Sequence, residues 1–187
     1  MSSHEIIDSA LTKEEALRQN PHLLCPLEIL NRQVLLDVLY FSFDGKLHKG
    51  QIVIDENLAT DVLDGFTLIK KMKFPIASVI PIADSHFHWD DQISVKANNS
   101  SGFNYRNILK TTKLSSHSYG RAIDINPKLN PYVRSDLVSP KGAVYDPSQS
   151  GTIVSGDRIV TFFKERDWEW GGDWDDRKDY QHFQKLV

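Results

Sequence analysis

The fold of this chain is decided by two short stretches, Ser115-Ser116-His117-Ser118-Tyr119-Gly120-Arg121-Ala122-Ile123-Asp124 and Asp179-Tyr180-Gln181-His182. Together they contain two imidazoles and a carboxylate, from His117, Asp124 and His182. Such a set is common in catalytic zinc sites, where it leaves the fourth position of the metal open to water. Asp179 precedes His182 by three positions and offers a free carboxylate as a base. The two stretches predict a catalytic site for one zinc ion.

The sequence between the first two candidate ligands suits a compact metal site. Gly120 lies between His117 and Asp124 and can turn the chain there. Ala122 and Asp124 fall on the same face of the short strand that is expected to follow. The small Ala122 side chain leaves room beside a metal ion.

The second stretch requires an irregular backbone. His182 is expected in a strand, and Asp179 differs from it in parity, so in a regular strand the two side chains would point to opposite faces. We therefore expect Asp179 just before that strand. The alternative is that the candidate ligands are unrelated polar residues in loops, but the combined pattern favours the metal site. A non-haem iron site uses the same ligand types, but its usual H-x-D spacing is absent.

Composition bounds the class of protein. The chain has 187 residues, four Trp and nine Phe, which is enough for one domain with a buried core. A net charge of -3 and the lack of a basic run argue against nucleic acid as a partner. Cys25 is the single cysteine, so no intrachain disulfide forms, and it is expected to be buried. No stretch is long and apolar enough for a membrane span, and no export signal is visible.

The pattern of helix and strand signals predicts an α+β fold, a small antiparallel sheet flanked by helices. A capping box at Thr12-Lys13-Glu14-Glu15 predicts a short helix. Helical spacing of Leu58, Val62, Phe66 and Ile69 predicts a core helix over 56–71, and Ser155 is expected to cap a last helix containing Ile159, Val160 and Phe163. The expected strands are 33–43 and 48–54 as a hairpin around Asp44-Gly45, then 74–80, 121–126 and 180–184.

A long aperiodic stretch follows the candidate ligand Asp124. Residues 126–151 contain four prolines, and a loop of this length in a compact domain is usually functional or disordered. We expect it to border the active site rather than to be a decorative insertion.

Several of these motifs resemble one known family. The segments SSHSYGRAID and DYQH, with Trp170-Gly171-Gly172-Asp173-Trp174 between them, are similar to the zinc D-Ala-D-Ala metallopeptidases. That group contains VanX-type dipeptidases, VanY-type carboxypeptidases and phage L-alanyl-D-glutamate endopeptidases. The resemblance spans Ser101 to Phe183 and includes Phe103-Asn104-Tyr105-Arg106. It implies a hedgehog/D-Ala-D-Ala peptidase-like fold, with residues 31–187 as the zinc peptidase domain and residues 1–30 as a peripheral segment.

The resemblance also implies roles for individual residues. His117, Asp124 and His182 would bind zinc, and Asp179 would be the general base. Arg106 would polarise the scissile carbonyl and stabilise the oxyanion, the alternative being a surface salt bridge. Ser115 would contact substrate, or equally would cap backbone groups. Many members have Glu where this chain has Asp179, and Asp is similar to the endopeptidase branch.

The function implied is hydrolysis of an amide bond in peptidoglycan stem peptides, either as a D-Ala-D-Ala carboxypeptidase or as an L-Ala-D-Glu endopeptidase. The alternatives are a catalytically inactive zinc-containing module that binds peptidoglycan or protein, and a cytosolic D-Ala-D-Ala dipeptidase. The expected partner is peptidoglycan or a muropeptide, and the chain is expected to be a monomer. It would act in the periplasm or cell envelope if an export signal has been removed, and otherwise in the cytoplasm or after release by phage.

Two further groups of residues are candidates for function. Trp168, Trp170 and Trp174, with Gly171-Gly172, could line the substrate site, but aromatic residues beside a tight turn are more often core. Asp84, His86 and His88 could present two imidazoles on one face. They lack a third strong ligand at suitable spacing, so a second metal site is not expected there.

Overall fold

A long β-hairpin forms the framework of the protein. The structure, a computed structural model, describes residues 5–109, 111–135 and 137–186. Strands β2 (Gln33–Phe41) and β3 (Leu47–Asp55) pair antiparallel along their full length, from Gln33 opposite Asp55 to Phe41 opposite Leu47. The predicted hairpin and its turn are confirmed.

The remaining elements are short, apart from one helix, and they confirm the α+β class. The helices are α1 (Lys13–Ala16), α2 (Leu27–Leu30), α3 (Ala59–Met72), α4 (Asp91–Lys96) and α5 (Arg158–Lys164). The other strands are β1 (Ile6–Ile7), β4 (Ser78–Val79), β5 (Asn99–Ser100), β6 (Ala122–Asp124), β7 (Tyr132–Arg134), β8 (Leu137–Ser139), β9 (Glu169–Trp170), β10 (Lys178–Asp179) and β11 (His182–Gln184). Single 3-10 turns cover Glu56–Leu58, Ser116–Tyr119 and Gly171–Asp173.

The main core lies between the hairpin and helices α3 and α5. All the apolar residues predicted to face the core from α3, the turn before it and α5 are buried. They are Leu58, Val62, Phe66, Ile69, Ile159, Val160 and Phe163. They pack with Ile123 of β6 and Phe183 of β11, so the same core supports the strands that carry the candidate ligands. Burial of such side chains contributes roughly 1.5–3 kcal/mol each.

The predicted cap of the last helix is wrong. Ser155 is exposed, and the N-cap position belongs to Asp157. The chain first turns at Gly156, which has φ +83°, and the Asp157 N–H donates to the Val154 carbonyl across that turn at 3.1 Å. The turn delays the start of the helix by two residues.

The predicted strand over 74–80 shrinks to β4, which pairs parallel with β5. Upstream of β4 the backbone finds other partners: Ile76 N–H donates to the Phe41 carbonyl, and Ala77 N–H donates to Asn126 Oδ1. Pro75 has no N–H to offer a ladder.

Residues 126–151 are not an aperiodic loop throughout. They contain the hairpin of β7 and β8, and β7 also pairs with β10. Strands of three residues are too short to produce a readable period, which is why the sequence pattern missed them. The segment returns to the core near Gly151, whose carbonyl accepts from the side-chain amides of Asn126 and Asn130.

The amino-terminal segment packs on the hairpin. Strand β1 pairs parallel with β3, and Asp8 accepts hydrogen bonds from the Tyr40 hydroxyl and the His48 ring. Helix α1 has the predicted capping box at Thr12, and Cys25 is buried as expected. Among the residues that the structure describes, no helix is both long and apolar enough to cross a membrane.

We predict that Asn130→Ala lowers the free energy of unfolding by about 2–3 kcal/mol, because removing the side chain leaves buried backbone groups without partners. The fully buried Asn130 amide donates to the carbonyls of Ile125 and Gly151, and its oxygen accepts from Ile153 N–H at 2.7 Å. Urea unfolding measures the change, and Asn107→Ala at an exposed position is the control. Equal stability of the two variants would contradict the prediction.

Candidate metal and catalytic site

The site is built on a three-stranded antiparallel sheet in the order β6-β11-β9. Asp124 ends β6, His182 begins β11, and the register places them directly opposite each other. Opposed residues in an antiparallel pair project from the same face of the sheet. The result is a contact of 2.9 Å between His182 Nδ1 and Asp124 Oδ1.

His117 reaches the same point from the 3-10 turn Ser116–Tyr119. Gly120 ends that turn with φ +64°, a conformation that glycine adopts without strain. A Cβ at Gly120 would lie 2.0 Å from Gln33 Oε1 and 2.6 Å from Asp55 N. The Gly120 carbonyl accepts from that Asp55 N–H at 2.9 Å. Glycine is therefore required here both by its dihedral angle and by the close approach of the hairpin.

The three side chains converge in a buried cluster. His117 Nε2 lies 3.2 Å from His182 Nδ1 and 3.2 Å from Asp124 Oδ2. Their relative exposures are 3% for His117, 7% for Asp124 and 5% for His182. The candidate ligand atoms all lie within 4.8 Å of one another, and no other group of this kind occurs within 5–109, 111–135 and 137–186. This cluster can hold a metal ion.

When each ring is neutral, the hydrogen bond behind it places the lone pair on the inward nitrogen. His117 Nδ1 lies 2.7 Å from the Gly102 carbonyl, which can only accept, so His117 Nδ1 carries the proton. His182 Nε2 faces Gln184 Oε1 at 3.1 Å. In these neutral tautomers, His117 Nε2 and His182 Nδ1 direct lone pairs at each other beside a carboxylate. That arrangement is repulsive by itself and is relieved by a cation.

The titration behaviour of the cluster shows the same demand for positive charge. Burial by itself disfavours a charged imidazole, but the hydrogen bond and charge of Asp124 outweigh burial and raise the pKa of His182 to about 9. Burial would likewise raise the pKa of Asp124, but the charge of His117 and hydrogen bonds from both rings hold it well below its usual range. A proton on His182 Nδ1 and a metal ion are alternative ways to supply that charge. The donor set of two imidazoles and a carboxylate fits a metal ion.

Asp179 lies beside this cluster in a different sheet. It ends β10, which pairs with β7 so that Asp179 is opposite Tyr132. Tyr180 and Gln181 then turn the chain before β11 begins at His182, so the two residues need not obey one strand's parity. The backbone before β11 is irregular as predicted, but only at Tyr180 and Gln181. Asp179 itself lies in a short strand, and the strand predicted over 180–184 begins at His182.

The environment of Asp179 suits a group that exchanges protons. Its Oδ1 accepts from the Gln181 side-chain amide at 3.0 Å. Burial raises the pKa of Asp179 to about 6, opposed by the charge of His182 and supported by that of Asp124. A carboxyl with a pKa near neutrality is matched to general base catalysis.

Gly171 makes the space in which Asp179 lies. A Cβ at Gly171 would be 2.5 Å from the Asp179 carbonyl oxygen and 2.8 Å from the Asp179 Cβ. The indole Nε1 of Trp170 donates to the Tyr180 carbonyl at 2.9 Å, one residue further on. The sequence motif offered Gly171 only as part of a possible substrate wall, and its close approach to Asp179 is apparent only in the structure.

A family model described as D-alanyl-D-alanine carboxypeptidase matches residues 109–185. The family is VanY-like, and the resemblance read from the sequence motifs is confirmed. The matched range contains the three candidate metal ligands, Asp179 and Ser115, whereas Arg106 and the β2-β3 hairpin lie outside it. No curated protein and no solved structure matches the chain.

Arg106 lies just upstream of the matched range and is tied to the His117 turn. Its backbone N–H donates to Ser118 Oγ at 2.9 Å, and its carbonyl accepts from Ser115 N–H at 3.1 Å. Its Nε is 3.1 Å from Asp91 Oδ1, and that oxygen also accepts from the Asn104 side-chain amide. The ion pair that was the alternative for Arg106 is thus present. The substrate role of Arg106 stays a prediction.

Ser115 caps the 3-10 turn that carries His117. Its hydroxyl accepts from the His117 N–H at 3.3 Å, and the residue is buried. The geometry favours the capping alternative, which helps to orient His117, and a contact with substrate stays a prediction.

The three tryptophans near the site differ in position. Trp168 and Trp170 are buried in the core, as expected. Trp174 is half-buried, and its ring centroid lies 5.5 Å from that of His182. The Arg177 guanidinium lies over the Trp174 ring, 4.4 Å from its centroid. Of the three, Trp174 is the one that borders the cluster.

The segment that follows Asp124 also reaches the site. Tyr145 stacks on Tyr180 with a centroid distance of 3.5 Å, and β7 pairs with β10 next to Asp179. The expected position of this segment beside the site agrees with these contacts.

The upstream motif of Asp84, His86 and His88 is not part of the cluster. His86 is exposed and contacts Asp84 at 2.8 Å. Within the described residues, these side chains do not form a group of three potential metal ligands. The absence of a second metal site there stays a prediction.

We predict that Gly120→Ala costs more stability than Gly142→Ala and also weakens metal binding. Both glycines have positive φ, so both variants carry backbone strain of order 1–3 kcal/mol. At Gly142 a Cβ meets nothing within 4 Å, whereas at Gly120 it clashes with Gln33 and with Asp55 backbone. Urea unfolding and metal content after dialysis separate the two effects. Equal behaviour of the two variants would show that the close approach is not needed.

Proposed function

We propose that this protein is a zinc-dependent peptidase that hydrolyses an amide bond in peptidoglycan stem peptides. The observation that carries the proposal is the buried convergence of His117 Nε2, His182 Nδ1 and the Asp124 carboxylate, with both rings oriented by hydrogen bonds from behind. Imidazole and carboxylate donors in this number are characteristic of catalytic zinc. The match of residues 109–185 to a carboxypeptidase family supports the choice of reaction.

The residues divide the chemistry between them. Zinc held by this set of ligands would acidify water and polarise the scissile carbonyl. Asp179 would accept the proton from the attacking water and return it to the leaving amine, for which its raised pKa of about 6 is suitable. Arg106 would stabilise the negative charge that develops on the carbonyl oxygen. Its ion pair with Asp91 would hold the guanidinium in place beforehand.

The bond that we propose first is D-Ala-D-Ala, cleaved as a carboxypeptidase, because the matching family carries that description. The L-Ala-D-Glu bond is the second candidate, because Asp at position 179 is similar to the endopeptidase branch. We also propose the hedgehog/D-Ala-D-Ala peptidase-like fold, which the pairing of Asp124 with His182 on one antiparallel sheet supports. Cell-wall material would be the target, and one chain would carry the whole site.

The decisive prediction concerns Asp179→Ala. The wild type should bind one zinc ion per chain at the cluster of His117, Asp124 and His182 and cleave purified muropeptides. The variant should bind zinc but lose roughly 10²–10⁴-fold in turnover, the usual contribution of a general base. Zinc is measured by elemental analysis, and the products are identified by mass, which names the bond. Asp175→Ala, an exposed neighbour in the same charged run, is the control.

The same experiment separates the alternatives. Zinc bound by a wild type that cleaves no stem peptide would favour a binding module. Cleavage of free D-Ala-D-Ala alone would favour a dipeptidase. A wild type without zinc would overturn the proposed site.

A second prediction tests the space beside Asp179. Gly171→Ala should lower turnover by about tenfold or more while zinc affinity stays close to that of the wild type, because the three atoms nearest to the added Cβ all belong to Asp179. Gly65→Ala is a matched control, since its Cβ would meet Phe163 at 2.6 Å in the core and not Asp179. If both variants lose turnover only in proportion to stability, the effect is not specific to Asp179.

A further inference from the structure

Gln184 lies in β11 two residues after His182, so both side chains project from the same face. Opposite Gln184 on β6 is Ala122, whose small side chain leaves the amide free to lie along the sheet toward His182. On the other side of β11, Gln184 is directly opposite Glu169 of β9. Gln184 is therefore between an imidazole on its own strand and a carboxylate on the next.

The Glu169 carboxylate determines which way the Gln184 amide points. Gln184 Nε2 donates to Glu169 Oε2 at 2.8 Å. An ionised carboxylate only accepts, so the NH₂ group must face Glu169 and the oxygen must face His182. Gln184 Oε1 lies 3.1 Å from His182 Nε2. The orientation of an amide, which is often ambiguous, follows here from chemistry.

That orientation selects one tautomer of His182. The amide oxygen accepts a hydrogen bond, so the proton belongs on His182 Nε2 and the lone pair on Nδ1, the nitrogen that faces His117 and Asp124. The Ser116 hydroxyl, 3.4 Å from the same Nε2, can donate or accept and so selects neither tautomer.

We propose that Gln184, oriented by Glu169, is a positioning residue that holds His182 in the tautomer able to bind the metal. The inference rests on the metal site of the proposed function. It adds a chain of contacts, from Glu169 through Gln184 to His182, that neither the sequence motifs nor the family match assigns. Partners of this kind are typically worth about 10–100-fold in metal affinity.

The test compares zinc affinity across a set of variants by competition with a chromophoric chelator. Gln184→Leu should weaken zinc binding roughly 10–100-fold, because the His182 Nε2 proton then loses its acceptor. Gln149→Leu, at an exposed position, is the control.

A double exchange, Gln184→Glu combined with Glu169→Gln, tests the chain of contacts itself. The amide placed at position 169 would donate to the carboxylate placed at position 184, and that carboxylate would accept from His182 Nε2. Both hydrogen bonds are kept, with the donor and acceptor reversed between positions 169 and 184. The double variant should bind zinc with an affinity within a few fold of the wild type, in contrast to Gln184→Leu.

A second readout detects the tautomer directly. Nitrogen-15 NMR of the zinc-loaded wild type should show His182 protonated at Nε2, and this signal should weaken or broaden in Gln184→Leu. If Gln184→Leu does not fold, Glu169→Leu tests the same contact from the exposed end. It should give a loss of a few fold, because the amide is then free to turn.

The outcomes distinguish this inference from the function on which it rests. A wild type that binds zinc, together with Gln184→Leu that binds it equally well, overturns the role of Gln184 and leaves the peptidase proposal standing. Failure of the double exchange to restore affinity would reduce Gln184 to a packing role and so overturn the proposal. A wild type that binds no zinc overturns the metal site and this inference together.

Discussion

The pairing of β6 with β11 is the constraint on which the site depends. Because Asp124 is opposite His182 in that ladder, a carboxylate and an imidazole distant in sequence meet on one face. A slip of one residue would move one of the two side chains to the other face and dismantle the cluster. The register is held by Ile123 and Phe183, which neighbour the two ligands along their strands and bury their side chains in the main core.

The third member, His117, is held by contacts of a different kind. Its turn is hydrogen-bonded to the framework hairpin through the Gly120 carbonyl, and its ring is oriented by the Gly102 carbonyl. Gly102 itself approaches β3 so closely that a Cβ would lie 2.2 Å from the Val53 oxygen. Because Gly120 and Gly102 have no side chains, the backbone segments that position His117 can pack directly against the hairpin. The hairpin, far from the metal cluster in sequence, is part of its support.

Burying this cluster carries an electrostatic cost, and that cost explains why the cluster favours a bound cation. Two imidazoles and a carboxylate removed from water demand a compensating positive charge, either a proton or a metal ion. The hydrogen bonds behind both rings leave their lone pairs turned inward, which prepares the site for a cation. Asp179, half-buried at the margin of the cluster, keeps a raised pKa and remains available for proton exchange. One buried arrangement thereby accounts for both a metal site and a neighbouring base.

The sequence by itself determined the α+β class, the hairpin, the core helix and the identity of the three clustered side chains. These depend on local periodicity, turn residues and the chemical types of the ligands, which can be identified from one sequence. The tertiary structure alone decided the strands within 126–151, the late start of the last helix, the space that Gly171 leaves for Asp179, and the contacts of Gln184 with His182 and Glu169. Those features arise where short segments distant in sequence come within van der Waals or hydrogen-bond distance. Such contacts cannot be predicted from sequence periodicity or residue spacing, because they are set by packing across the sheet rather than along the chain.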